Sequence, residues 1–77
     1  MTTSEFRNSK EYAECMSKIK GYSQGFEFTI PYFDMTKGQR NAMNIVTQDA
    51  VKQGLLKSTS LGLNLEGDIV EERFTKL

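Results

Sequence analysis

Between Thr36 and Thr75 a stretch of helical periodicity runs through Gly54 straight into a stretch of period two, and this junction constrains the fold more than any other feature of the chain. Thr36-Lys37-Gly38-Gln39 has the pattern of a capping box, in which the threonine hydroxyl and the glutamine amide satisfy backbone groups that a first helical turn leaves free. Ala42, Met43, Val46 and Ala50 then recur on one face with Ile45 and Val51 beside them, and Gly54 can take the left-handed conformation that ends a helix. Asp49 and Gln53 encroach on that face, which predicts a helix at the edge of the core and not through its middle.

Beyond Gly54, Leu61, Leu63 and Leu65 alternate with Ser60, Gly62 and Asn64, the spacing of a half-buried strand, and Glu66-Gly67 supplies a turn. With a two-residue loop, Leu65 pairs with Asp68, Leu63 with Val70, Leu61 with Glu72 and Thr59 with Phe74. One face then carries three leucines, Val70 and Phe74. A three-residue loop would put Ile69, Glu71, Arg73 and Thr75 on the leucine face, exchanging core for solvent along the whole strand. The even loop is therefore expected, with Glu72 at the sheet margin and with Phe28, Val46, Leu63 and Phe74 in one core.

Upstream, Ser4 to Lys20 predicts a first helix, with Asn8 or Ser9 as a second start, Gly21 as its stop and a Glu14–Lys18 pair on its charged side. Tyr12, Cys15, Met16 and Ile19 form its apolar stripe. Phe26, Phe28, Ile30 and Tyr32 alternate without a miss and predict a strand, with Pro31 at its end or on an edge because proline cannot donate to a ladder. The expected fold is α+β: a small two-layer domain in the order α-β-α-β-β, with two helices on one face of a three-stranded sheet that ends in a β-hairpin. The other face stays wet, with Ser58, Ser60, Asn64, Glu71 and Arg73 outward. The first strand lies either parallel beside the second or antiparallel beside the third. Residues 1–77 form one domain, of which 1–5 are expected to fray.

Ten basic and ten acidic side chains cancel, which removes the broad electrostatic case for nucleic acid or an anionic membrane. With 77 residues, added burial from a partner subunit would help so small a core. There is no histidine, and one cysteine can build neither an internal disulfide nor a zinc site, so neither catalysis, nor a metal, nor a cofactor is expected. Cys15, on the apolar stripe, is expected to be a buried and unreactive thiol. The lone cysteine, with no apolar run of membrane-spanning length, predicts a cytoplasmic protein without a membrane segment.

A helix followed by Gly-Leu-Leu-Lys and a hairpin resembles the end of a winged-helix domain, in which a recognition helix precedes the wing. The resemblance covers Thr36 to Thr75 only. No convincing helix-turn-helix precedes it, and the hairpin is acidic at its tip. It implies nucleic-acid contacts from Lys37, Arg40, Lys52 and Lys57 near Phe33, with Lys37 and Arg40 at a helix start that could also hold a phosphate. The reading by exclusion is a non-enzymatic protein-binding module acting stoichiometrically, as a regulator, inhibitor or accessory subunit of the kind that phages and mobile elements encode. Its expected contact is a strand edge, used for a protein partner or for self-association, with Phe33 and Arg73 as exposed partner-binding residues.

Overall fold

Two hydroxyls set the start of the chain. In the computed structural model, which describes residues 2–77, Thr2 and Ser9 accept hydrogen bonds from the backbone N–H groups of Glu5 and Tyr12 and so cap two helices, α1 (Thr3–Arg7) and α2 (Lys10–Lys20). Of the expected starts, Ser9 begins the helix that runs to Lys20, and the stretch from Ser4 belongs to a separate short helix, so the chain is broken at Asn8-Ser9. Ser9 donates its hydroxyl to the Phe6 carbonyl while it accepts from Tyr12, which ends one helix and begins the next. Met1, one of the five residues expected to fray, lies outside the described residues. On the charged side of α2, the observed pair is Lys10–Glu14 at 3.7 Å and not Glu14–Lys18.

The chain continues through β1 (Glu27–Ile30), a 3-10 turn (Tyr32–Asp34), α3 (Lys37–Lys52), β2 (Leu56–Leu63) and β3 (Ile69–Lys76). Both halves of the capping box are present at α3. Gln39 N–H donates to Thr36 Oγ1 at 3.2 Å, and Thr36 N–H donates to Gln39 Oε1 at 2.9 Å. Gly54, at φ +76°, turns the chain out of α3 toward β2. The first strand is shorter than its aromatic alternation predicts, because Pro31 stops the ladder at Ile30. Tyr32 nevertheless enters the core, from the 3-10 turn, whereas Phe26 lies outside the strand, half exposed and stacked on Tyr22 at 4.6 Å.

The sheet has the order β1-β3-β2 and both pairings are antiparallel, so of the two expected arrangements the first strand lies beside the third. Phe74, fully buried, occupies the middle of the central strand opposite Phe28 on one side and Ser58 on the other. Met16 and Ile19 from α2, Val46 and Ala50 from α3, Ile30, Tyr32 and Leu56 close over it. Phe28 and Cys15 are only half-buried, so the expected enclosure of both is partial.

The hairpin departs from the expected register at two places. Ser58 pairs with Phe74 and Ser60 with Arg73, so Thr59 is an extra residue on β2. Gly62 pairs with Glu71 and Leu63 with Ile69, so Val70 is an extra residue on β3. Between the two insertions the expected register holds, with Ser60 opposite Arg73, Leu61 opposite Glu72 and Gly62 opposite Glu71. The loop is longer than two residues, because Asn64 Oδ1 accepts from the backbone N–H groups of Glu66 and Asp68 and builds its own turn. The leucine face is not core, even at Leu61, whose register is the expected one. Leu61, Leu63 and Leu65 are exposed, and Glu72, expected at the margin, is buried. Ser58, expected to face outward, instead donates its hydroxyl to Glu72 at 2.6 Å.

α3 buries Val46, Thr47, Asp49 and Ala50 while its other side stays exposed, and the charge that encroaches on its inner face is neutralised. Arg7 from α1 forks onto Asp49 through Nε and Nη2, both at 2.9 Å, and the Tyr12 hydroxyl from α2 donates to Asp49 Oδ2 at 2.7 Å. One carboxylate therefore pins both N-terminal helices to α3. The Arg7 hydrogen bonds above all, then the Tyr12 hydrogen bond and the guanidinium charge, hold the Asp49 carboxyl below its ordinary value of 3.8 against the opposing effect of burial. The same contact raises the Arg7 guanidinium and the Tyr12 phenol above their usual ranges.

Two outcomes follow for stability. Phe74→Ala should destabilise by about 3–5 kcal/mol in urea titrations, Thr36→Ala by about 1 kcal/mol, and Leu63→Ala by little, since Leu63 lies outside the core. Because the folded-state value of Asp49 is depressed, its contribution is complete above pH 3.8 and is lost as the pH falls through the lower folded value. The urea midpoint of the wild type should exceed that of Asp49→Asn at neutral pH, and the gap should close on acidification below 3.8. A gap that stays constant down to acid pH would remove the pairing from the account of stability.

Candidate functional site

Glu72 marks where the core ends. On the central strand it is 8% exposed, directly opposite Leu61 on β2 and Ile30 on β1. The Tyr32 hydroxyl donates to its Oε1 at 3.1 Å and the Ser58 hydroxyl to its Oε2 at 2.6 Å, so the 3-10 turn and both neighbouring strands supply its environment. Burial first, and the adjacent Glu72 second, push the Tyr32 phenol up to about 12, which keeps it a donor at any ordinary pH. Among the described residues the ion pairs are Arg7–Asp49 and Lys10–Glu14, so Glu72 is held by hydroxyls alone.

Beyond Glu72 the aliphatic side chains of the hairpin are exposed. Leu61 and Leu63 lie on one side of β2, Leu63 faces Ile69 across the ladder, and Leu65 stands in the turn. Their exposures are 52%, 59%, 48% for Ile69 and 103% for Leu65, a cluster of aliphatic side chains left in water at one end of the molecule. A groove of about 390 Å³ adjoins it, lined by Ile69, Glu72, Tyr32, Lys37, Arg40 and Asn44 among others. Ile69 belongs to both, so groove and cluster are continuous.

The residues singled out from the sequence fall into separate places. Phe33 is 62% exposed in the 3-10 turn, and Arg73 is exposed on the open face of the central strand, beside Thr29 and Ser60. Lys37 and Arg40 line the groove, whereas Lys52 lies in the last turn of the same helix and Lys57 faces outward on β2 opposite Thr75. Lys37, Arg40, Asn41, Asn44, Gln48 and Lys52 form one exposed stripe, because steps of three or four residues return to the same side of a helix. Lys57 does not join it. From the sequence, Leu61, Leu63 and Leu65 were expected on the core face and Ile69 on the opposite face. The longer loop was signalled by Asn64 four residues before Asp68, a spacing that lets one side chain accept from two backbone groups.

No group of three or more histidine, cysteine or acidic side chains that could hold a metal ion, and no helix long and apolar enough to cross a membrane, is found among the described residues. Compared with protein-family models, with curated proteins and with solved structures, the chain matches none.

Proposed function

We propose that this chain is a non-enzymatic protein-binding module of the cytosol, acting stoichiometrically as a regulator, inhibitor or accessory subunit of the size that phages and mobile elements encode. The observation that carries this reading is the exposed cluster of Leu61, Leu63, Leu65 and Ile69 beside the free edge of an eight-residue strand. Fully burying one such side chain contributes about 1.5–3 kcal/mol, so a partner seated on the cluster gains what the fold itself leaves unused. The free backbone groups of β2 offer the same partner a ladder of hydrogen bonds. Phe33 and Arg73 are exposed on other elements, Arg73 opposite Ser60 of β2 and Phe33 in the 3-10 turn after β1.

A second reading rests on α3. Its exposed stripe carries Lys37, Arg40 and Lys52 with three amides and no acid, since the helix's one acidic residue, Asp49, is turned inward to Arg7. Arginine with asparagine and glutamine is the side-chain set that reads base edges, so this face favours a nucleic acid. Net neutrality weighs against it, because a site with several phosphate contacts needs most of the cations on one surface.

The test is quantitative capture on the wild-type chain and on Leu63→Glu with Leu65→Glu, both sites being exposed and outside the core. A protein bound at one-to-one stoichiometry should be depleted about tenfold or more from the variant, as expected for loss of central apolar contacts. Equal capture would reject the hairpin as the contact. A mobility shift at about 50 mM salt, where phosphate contacts are strong, decides the second reading. Nucleic acid retained there by the wild type, and released by Lys37→Ala with Arg40→Ala, would replace the first reading.

A further inference from the structure

We propose that the hairpin's partner is a second copy of this chain, paired antiparallel along β2 with Leu61 of each copy at the twofold axis; this rests on the protein-binding reading above and names its partner. β2 is an edge strand of eight residues, and its ladder with β3 is interrupted at Thr59 and again opposite Val70, leaving Ser60–Gly62 as the regular segment between them. That segment contains no charge and no proline.

The register follows from which side each residue faces. Leu61, opposite buried Glu72, lies on the helix side, while Ser60 and Gly62 lie on the open side opposite Arg73 and Glu71. Directly paired residues must share a face. A twofold centred on Ser60 fails, because it sets Ser58, whose hydroxyl reaches Glu72, against Gly62 on the other face. A twofold centred on Gly62 matches the faces but lines up Glu71, Gly62, Gly62 and Glu71, two like charges leaning toward each other. With Leu61 at the axis, Ser60 of each copy faces Gly62 of the other, and Leu61 faces Leu61.

Charge complementarity selects this last register and selects a second copy. The open-face row across the joint then reads Glu71, Gly62, Ser60, Arg73, an acid and a base separated by two small residues, and the symmetry makes the row twice. Glu71 already reaches over Gly62 toward the edge: a side chain at position 62 would run into Glu71 Cγ and come within 3.0 Å of its Oε1. Neither Glu71 nor Arg73 has an ion-pair partner within its own chain among the described residues. Three strand spacings, about 14 Å between their Cα atoms, separate the two residues, a span that a glutamate and an arginine extended toward each other nearly cover. Lys57 lies beyond Thr59 and outside the paired segment, so no cation meets a cation there. On the helix side the two Leu61 side chains meet, with Leu63 and Ile69 of each copy flanking them.

Sedimentation velocity on the full chain between about 1 and 100 µM should show a monomer–dimer equilibrium, the range in which associations of moderate strength are read. Leu61→Lys sets two lysines face to face at the axis and should abolish the dimer, with an unchanged circular dichroism spectrum because Leu61 is exposed. Arg73→Glu should weaken the dimer about tenfold, and Glu71→Arg combined with Arg73→Glu should restore it, a rescue that no loss of fold can imitate. A wild type that stays monomeric at about 100 µM overturns self-pairing. If that monomer still captures another protein through Leu63 and Leu65, self-pairing alone is overturned and the protein-binding reading stands. A dimer indifferent to Leu61→Lys, or one that the double charge exchange does not restore, overturns the β2 register.

Discussion

A carboxyl on the inner face of the central strand governs how far the core extends. Glu72 stands two residues from Phe74, so one face of β3 must bury both the most enclosed aromatic ring and an acid. Burying an acid without partners costs several kcal/mol, and the structure meets this with hydroxyls from Tyr32 and Ser58. Tyr32 reaches Glu72 because the chain leaves the ladder at Pro31 and turns inward. Ser58 reaches it because Thr59 is extruded and the proximal part of β2 stays in phase with Phe74. The apolar contacts lie on the Phe74 side of this polar junction, and on the far side the leucines of the hairpin have no helix to meet.

Asp49 plays the corresponding part in the helical layer. A carboxylate on the inward side of α3 would hold that helix at the margin, but Arg7 and Tyr12 approach it from α1 and α2 and satisfy both oxygens. α3 can then present Val46 and Ala50 to the sheet without any remaining exposure. Both buried acids thus act as attachment points between elements distant in sequence, and each is held by side-chain donors rather than by the backbone.

What was legible in the sequence is what local chemistry decides. Thr36 and Gln39 form their capping box from adjacent residues, Gly54 supplies the one left-handed step the α3 to β2 junction requires, and period two in Phe28 and Ile30 places β1. The α+β order and the wet outer face of the sheet follow from these periodicities. What was not legible depends on a residue count or on a distant partner. The register of the hairpin's two ends was missed because Thr59 and Val70 are each inserted into one strand, whereas Ser60–Gly62 between them pair as the period of two implies. Asp49 looked like a defect on its helix face because its partner lies 42 residues earlier. Of the candidate site, the cations of α3 were identified, while the three leucines of the aliphatic cluster were assigned to the core and Ile69 to the face opposite them.

The two edges of the sheet are unequal, and the inequality directs association to one of them. β1 is four residues long and is closed at its end by Pro31, which leaves little ladder for a further strand. β2 is twice that length, and its own irregularity blunts only the end nearer the helices. The unblunted end is also where the aliphatic cluster lies, so free hydrogen-bonding groups and uncovered apolar surface coincide on Ser60–Leu63. In a chain of 77 residues with eight buried hydrophobic side chains among the described residues, that coincidence leaves a large share of the available apolar surface outside the fold. The polar junction at Glu72 prevents the core from growing outward to cover it, and a second sheet edge can cover it without disturbing that junction.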